Sequence, residues 1–177
     1  IKFKIQVIVK KNLVLLGMMA VGKTTLGKSV AKKQKLEFID IDKNIEKKNL
    51  MTIKEIFNKK GEKFFRNQEE IEVLKSLKKS NAVISLGGGA FLNNILRENI
   101  LKSSISVWLD IDVKTLSKRL MKNKKRPLLN MNNNNKKIQD LYDVRKNIYK
   151  LANHKIKCDN LKSQAITDKI IAIYEKN

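Results

Sequence analysis

The stretch GMMAVGKTT, residues 17–25, combines glycine, lysine and threonine in a spacing that suits phosphate chemistry. Gly17 and, after four residues, Gly22, Lys23 and Thr24 match the pattern G-x-x-x-x-G-K-[ST]. In such a loop backbone N–H groups surround phosphate oxygens, the lysine reaches the outer phosphates, and the threonine hydroxyl is a ligand of Mg²⁺. An apolar run precedes the stretch and a helical pattern follows it, which is the context that the motif requires. The sequence therefore predicts nucleotide binding, but this loop does not identify the phosphate acceptor.

Two carboxylates stand close together in the stretch FIDID, at Asp40 and Asp42. We place both at the carboxyl end of a second strand over 36–42, where alternation turns them to the same side, near the phosphate loop. One acid can hold Mg²⁺ through water, and the other can orient or deprotonate a substrate hydroxyl. Gly87 follows the next strand, where an acid for the metal might be expected, and this favours Asp40 as the metal acid. The competing interpretation is a surface turn with two helix-capping acids.

Arginine and glycine residues further along the chain are suited to an anionic acceptor. Arg66, in GEKFFRNQEE, and Arg145, in RKNIY, lie on predicted helices, and arginine binds carboxylates through two parallel hydrogen bonds. The glycine run 87–89 follows a buried strand and lets a ligand touch the backbone. Arg126 lies in the segment 123–135, which has the only proline and no periodicity, and we predict a mobile lid there that closes over the phosphate. Solvated surface arginines and a flexible glycine turn are the plain alternatives.

Apolar runs alternate with helical patterns along the chain, which predicts an α/β fold with a parallel sheet covered by helices on both faces. Strands are expected at 13–16, 36–42, 82–86, 105–109 and 155–158. Helices are expected at 24–34, at 52–61 with a Thr52–Glu55 capping box and Gly61 as its stop, from Glu62 with Phe64, Ile71, Leu74 and Leu77 near one face, from Asp112 to Lys122, around Leu141 to Ile148, and from Ile166 to Ile173. Since we find no repeat and no linker, the chain 1–177 is predicted to form a single domain.

The chain has 177 residues, 42% of them apolar, and a net charge of +22. The charge suggests nucleic-acid binding, but the basic residues are mainly lysine and are spread along the chain without interleaved aromatics. We therefore expect no specific nucleic-acid partner and attribute the charge to a compositional bias. No apolar stretch approaches roughly 20 residues, so no membrane span is predicted. The single cysteine, Cys158, excludes an internal disulfide and indicates a reducing compartment, and we expect a cytoplasmic monomer.

In order and spacing, the stretches GMMAVGKTT, FIDID, GE..FR, GGG, RPLL and R...Y resemble the motifs of shikimate kinases, from about Lys11 to the C-terminus. The resemblance implies a P-loop fold of the nucleoside-monophosphate-kinase type. This fold is a three-layer α/β/α arrangement with a five-stranded parallel sheet, a mobile lid at about 123–135 and a small substrate-binding helical segment at about 41–70. The resemblance also implies Mg²⁺-dependent transfer of the ATP γ-phosphate to the 3-hydroxyl of shikimate, in the chorismate pathway to aromatic amino acids.

The same resemblance implies roles for individual residues. The catalytic residues are Lys23, Asp42, which holds the reacting hydroxyl, and Arg126. The ATP-binding residues are Gly17, Ala20, Val21, Gly22, Lys23, Thr24, Thr25, Arg119, which stacks on adenine, and Arg126. The shikimate-binding residues are Asp42, Arg66, Gly87, Gly88, Gly89 and Arg145, with the two arginines on the carboxylate. Mg²⁺ is held by Thr24 directly and by Asp40 through water.

Two features depart from the pattern of this family. Ala20 stands where the family usually has glycine, and the stretch CDNLKSQ only loosely matches the family's adenine-contacting segment, with Lys162 or Ser163 as candidates. Two alternatives stay open at this point. One is a related P-loop kinase that acts on gluconate or a nucleoside monophosphate, and the other is a basic nucleic-acid-binding ATPase.

Overall fold

The computed structural model of the protein describes residues 11–122 and 134–177. Within these ranges, five strands form one parallel sheet in the order β2-β3-β1-β4-β5. The strands are β1 (Asn12–Leu16), β2 (Glu37–Asp40), β3 (Ala82–Ser85), β4 (Ser104–Asp110) and β5 (His154–Lys157). The predicted five-stranded parallel sheet is confirmed. Because β1 lies between β3 and β4, the loop that follows it opens at the centre of the carboxyl edge.

Seven helices and one short 3-10 helix connect and cover the strands in the described part of the chain. They are α1 (Lys23–Gln34), α2 (Ile41–Asn49), α3 (Ile53–Leu77), the 3-10 helix Ala90–Leu92, α4 (Asn94–Ser103), α5 (Val113–Lys122), α6 (Asn134–Tyr149) and α7 (Ser163–Lys176). Helix α2, helix α4 and the 3-10 helix were absent from the helices predicted from the sequence pattern, although the family resemblance implied a helical segment at about 41–70. None of the helices in the described ranges combines the length and the apolar character that a bilayer crossing demands.

The core lies on both sides of the sheet, because the central strands are buried along their whole length. Every residue of β1, β3 and β4 is buried. Leu26 and Val30, the pair predicted for one face of α1, are both buried against this sheet. The uninterrupted apolar runs predicted as buried parallel strands therefore became the centre of the fold.

Helix α3 keeps its predicted cap and break, but its buried face differs from the prediction. Thr52 and Glu55 form the capping box, and Gly61, at φ 80° and ψ 168°, has a non-helical conformation that divides α3 into two helical segments at the predicted stop. The predicted apolar face is wrong at Ile71, whose side chain is 44% exposed. The helix instead buries a face that contains polar residues: Phe65, Glu69, Glu72, Val73 and Ser76. Apolar spacing could not reveal this face because two of its members are glutamates.

Candidate active site

The phosphate-loop sequence forms the turn between β1 and α1, at the carboxyl edge of the sheet. Its glycines adopt conformations that side chains rarely allow, with φ 138° at Gly17 and φ 105° at Gly22. A Cβ on Gly17 would lie 2.5 Å from the carbonyl oxygen of Leu109, so this position also requires close packing on β4. Lys23 folds over the loop, because its Nζ donates to the carbonyl oxygens of Gly17 at 2.8 Å and Met18 at 2.9 Å. The loop is thus preformed with its lysine at the mouth.

Ala20 occupies the left-handed region of backbone conformation, with φ 60°. This region is costly for residues with a Cβ and costs glycine little. The structure therefore gives a physical reason for the glycine that the family usually has at this position. The loop of this protein keeps a glycine-like conformation with alanine in place.

Asp40 links the second strand to the phosphate loop. Its Oδ2 accepts a hydrogen bond of 2.7 Å from the Thr24 hydroxyl, and its Oδ1 accepts one of 3.2 Å from the backbone N–H of Lys43. Asp40 is therefore the N-cap of α2 and a partner of the loop threonine at the same time. A threonine hydroxyl next to a carboxylate is an oxygen set that suits Mg²⁺, which keeps several of its waters and takes few protein ligands.

The predicted strand placement of Asp42 is wrong. The strand β2 ends at Asp40, and Asp42 lies in the first turn of α2. The capping bond of Asp40 starts the helix at Ile41, so the acids are related by a helix start and not by strand alternation. Asp42 nevertheless lines the same cleft as Asp40. Its Oδ1 lies 2.7 Å from the point where a Cβ of Gly87 would stand.

The cleft is lined by residues from the phosphate loop, the ends of β2 and β3, the glycine run and α5. Its lining consists of Met19, Ala20, Gly22, Lys23, Thr24, Thr25, Asp40, Asp42, Ser85, Leu86, Gly88 and Arg119. Arg119 reaches the loop from α5, where its Nη1 donates to the carbonyl oxygen of Val21 at 3.2 Å. Ser85 and Leu86 were not among the sequence candidates, although both directly precede the glycine run.

Arg66 and Arg145 both bring a guanidinium group to the glycine run. A Cβ on Gly89 would lie 2.5 Å from Nη1 of Arg66, and a Cβ on Gly88 would lie 3.0 Å from Nη1 of Arg145. Two arginines that are 79 positions apart in the sequence are thus brought to the same short backbone segment. Arg126, the remaining arginine predicted for the site, lies outside the described residues, as does most of the predicted lid 123–135.

Glu69 is a site residue that the sequence analysis missed. It is 2% exposed, and its Oε2 accepts a hydrogen bond of 2.8 Å from Nη1 of Arg66. Its Oε1 is buried without a hydrogen-bond partner among the described residues and lies 2.6 Å from the Cβ position of Gly87. Burial raises the pKa of Glu69, Asp42 adds to this shift, and Arg66 opposes it. The position of Glu69 three residues after Arg66 was the only feature of the sequence that could have indicated this ion pair.

Tyr149 also joins the site, at the end of α6. Its hydroxyl donates to the carbonyl oxygen of Gly88. Burial raises the pKa of Tyr149, while the neighbouring Arg145 opposes the shift. The tyrosine belongs to the R...Y stretch, so its position was noted in the sequence although no role was assigned to it.

The sheet order, the loop after β1 and the cleft beside it define an α/β P-loop kinase fold. A gluconokinase from Sinorhizobium meliloti 1021 has the same fold, with a TM-score of 0.60 at 15% identity over 95% of this chain and 93% of that one. Similarity to shikimate kinases is much greater. A family model described as Shikimate kinase matches residues 19–175. The chain belongs to the shikimate kinase family.

Individual relatives give the same result from sequence and from structure. The shikimate kinase of Sulfurihydrogenibium sp. (strain YO3AOP1) is 41% identical over 164 residues, which make up 91% of this chain and 96% of that protein. The structure of shikimate kinase from Acinetobacter baumannii in complex with shikimate has a TM-score of 0.88 at 32% identity, over 95% of this chain and 94% of that one.

Proposed function

We propose that the protein transfers the γ-phosphoryl group of ATP to the 3-hydroxyl of shikimate, giving shikimate 3-phosphate and ADP on the route to chorismate and the aromatic amino acids. The observation that carries the proposal is the convergence of Asp42, Arg66 and Arg145 on the glycine run beside a preformed phosphate loop. The loop supplies a place for the donor, and the convergent groups supply one for a small acceptor with hydroxyls and one carboxylate.

On the donor side, the loop N–H groups and Lys23 are suited to the β- and γ-phosphates of ATP. Lys23 already points at the loop mouth through its bonds to Gly17 and Met18, so binding requires exchange of carbonyl partners for phosphate oxygens. Thr24 and Asp40 would hold Mg²⁺, Thr24 directly and Asp40 through water. When bound, this ion supplies neutralisation of phosphate charge. Arg119 would lie against the adenine, and Arg126 would approach the transferring phosphoryl group from the lid.

On the acceptor side, Arg66 and Arg145 would bind the carboxylate and Asp42 would hold the hydroxyl that attacks. Two polar atoms near the glycine run support a ligand there, because Oε1 of Glu69 and Nε of Arg145 are buried without hydrogen-bond partners among the described residues. A buried acceptor and a buried donor that both lack a partner are costly unless a ligand satisfies them. A molecule with hydroxyls and a carboxylate offers both kinds of group.

In the reaction itself, Asp42 would orient the 3-hydroxyl toward the γ-phosphorus and accept its proton as the new P–O bond forms. The bond from the γ-phosphorus to the bridging oxygen breaks, and ADP leaves. Lys23 and Arg126 would stabilise the negative charge on the transferred group. Closure of the lid over the site would exclude water and limit hydrolysis of ATP.

We place the protein in the cytoplasm as a monomer.

A coupled assay of ADP release with purified protein, Mg²⁺-ATP and shikimate tests the proposal. We expect saturable activity with shikimate, and a decrease of at least about 100-fold in kcat for Lys23→Ala and for Asp42→Asn. We expect Arg66→Ala mainly to raise KM for shikimate. Lys33→Ala, on the same helix as Lys23 but in an exposed ion pair with Asp168, is the matched control and should retain activity. Turnover of gluconate or a nucleoside monophosphate without turnover of shikimate would refute the proposal.

A further inference from the structure

One face of α6 carries Ile138, Tyr142, Arg145 and Tyr149, at spacings of four, three and four residues. Residues at these spacings share one side of an α-helix. Ile138 and Tyr149 are buried, and this side therefore faces the protein interior. Arg145, which reaches the glycine run, thus has a tyrosine about one turn before it and another about one turn after it.

The two tyrosines bind different parts of the carboxyl edge of the sheet. Tyr149 donates its hydroxyl to the carbonyl oxygen of Gly88, after β3. Tyr142 donates its hydroxyl to Oδ1 of Asp110, the last residue of β4, at 2.8 Å. A helix held at one point can still pivot about it, whereas two points define its direction. The two tethers lie roughly 4.5 Å before and roughly 6 Å after Arg145 along the helix axis.

Asp110 is a rigid anchor for Tyr142. It is 6% exposed, and its second oxygen, Oδ2, accepts an ion-pair contact of 2.8 Å from Lys155. The ammonium group of Lys155 in turn lies 4.2 Å from the ring centroid of the buried Trp108. The backbone is fixed as well, because the carbonyl oxygen of Asp110 accepts the N–H of Cys158 at 2.8 Å. With both carboxylate oxygens engaged, Asp110 has one favoured orientation for the tyrosine hydroxyl.

We propose that Tyr142, bound to Asp110, is a positioning residue that holds Arg145 at the glycine run and so sets the affinity for an acceptor that carries a carboxylate. This inference rests on the proposed function, because it takes Arg145 as a carboxylate-binding residue. Small displacements of a binding group reduce substrate affinity, so loss of a hydrogen bond one helical turn from Arg145 is sufficient to weaken substrate binding. Tyr142 itself does not touch the substrate. The ordinary tyrosine pKa of about 10 already keeps the hydroxyl protonated at neutral pH, and burial and the neighbouring Asp110 raise the pKa of Tyr142 further.

The test compares wild type and Tyr142→Phe in steady-state kinetics. We expect KM for shikimate to rise about threefold to tenfold, with kcat and KM for ATP unchanged within about twofold. Tyr174→Phe is the matched control, because it removes a hydroxyl from a buried tyrosine of α7, away from the cleft, and it should leave KM for shikimate unchanged.

A second substrate separates positioning of Arg145 from general loosening of the protein. The carboxamide of shikimate lacks the charge that Arg145 binds. Tyr142→Phe should therefore weaken the binding of shikimate more than the binding of the carboxamide, and reduce the preference of the enzyme for shikimate. An equal rise in KM for shikimate and for its carboxamide would overturn the inference, as would an unchanged KM for shikimate.

Asp110→Ala, which removes the acceptor of the Tyr142 hydroxyl, provides an independent variant if Tyr142→Phe folds poorly. It should also reduce the preference for the acid, and the double variant should be no worse than the more affected single variant, because both substitutions remove one tether. Additive effects of the two substitutions would overturn the inference. If the wild type does not act on shikimate, the proposed function fails and the inference fails with it. If the wild type is active and the variants keep its preference, only the inference fails.

Discussion

Ala20 provides a test of backbone strain inside the phosphate loop. Its φ of 60° places an alanine in the left-handed region. For a residue with a Cβ this conformation costs roughly 1–2 kcal/mol, and the change Ala20→Gly removes that cost. Glycine increases the entropy of the unfolded chain, which offsets about 0.4–1 kcal/mol of the gain. Loss of a partly buried methyl group offsets roughly another 0.4 kcal/mol, about half the value for a fully buried one. We therefore expect a net stabilisation of about 0.4 kcal/mol, with bounds of about −0.4 and 1.2 kcal/mol.

The same substitution in a helix should have the opposite effect. Ala31 is 3% exposed in α1, where glycine costs about 1 kcal/mol of helix propensity and the lost methyl about 0.8 kcal/mol more. Ala31→Gly should therefore destabilise the protein by about 2 kcal/mol. The two variants should differ by about 2 kcal/mol or more, although the chemical change is identical. For a chain of this size, this corresponds to a separation in Tm of roughly 4–8 °C.

Thermal and urea unfolding of the two variants beside wild type measure this difference, and KM for ATP reports on the loop. We expect KM for ATP of Ala20→Gly to stay within about twofold of wild type, because the loop conformation is already that of a glycine. Ala20→Val should destabilise by at least about 2 kcal/mol, since a β-branched side chain fits the left-handed region worst. If Ala20→Gly costs as much as Ala31→Gly, the left-handed conformation carries no strain and the reasoning is wrong.

Two further predictions concern the acceptor side of the cleft. Burial raises the pKa of Glu69 in the folded protein, so protonation of this carboxyl stabilises the fold. This stabilisation is fully present below the unfolded-chain pKa of about 4.3 and is lost as pH rises through the folded-state pKa. Wild type should therefore lose stability relative to Glu69→Gln as pH rises above about 4.3, and parallel stability curves from urea unfolding would contradict this. Gly87→Ala places a methyl group 2.6 Å from Oε1 of Glu69 and 2.7 Å from Oδ1 of Asp42, and both carboxylates must move. We expect at least a tenfold loss of kcat/KM for shikimate, roughly 1.4 kcal/mol, with the Kd for ATP unchanged, and an unaltered kcat/KM would refute the displacement.

The sheet could be predicted from the sequence because its central strands are buried on both faces. Apart from Asn12 and Asp110 at their ends, β1 and β4 are continuous runs of apolar residues and serine, and such runs alternating with helical patterns are compatible with few other folds. The phosphate loop could be predicted for a different reason: its chemistry fixes both residue types and spacing. At positions where burial or phosphate chemistry allows only one type of residue, the sequence was sufficient to predict the structure.

The acceptor side was less predictable because its contacts join distant parts of the chain. Asp42 was placed on the strand because alternation was the simplest interpretation, whereas the side-chain bond of Asp40 to Lys43 starts a helix first. Glu69 was missed because a charged residue on a buried helix face contradicts the hydrophobic period. Its burial is tolerated since Arg66 pairs with it, and this contact cannot be read from periodicity.

The glycine run at 87–89 shows why a glycine pattern needs its surroundings for interpretation. None of the three residues has a positive φ, so the backbone conformation itself does not require glycine. The lack of space requires glycine instead. A Cβ would contact Glu69 and Asp42 at Gly87, Arg145 at Gly88, and Arg66 at Gly89. Each glycine therefore leaves room for a different charged side chain of the acceptor side. A flexible turn would accept alanine at these positions, whereas this segment is restricted to glycine by the groups that crowd around it.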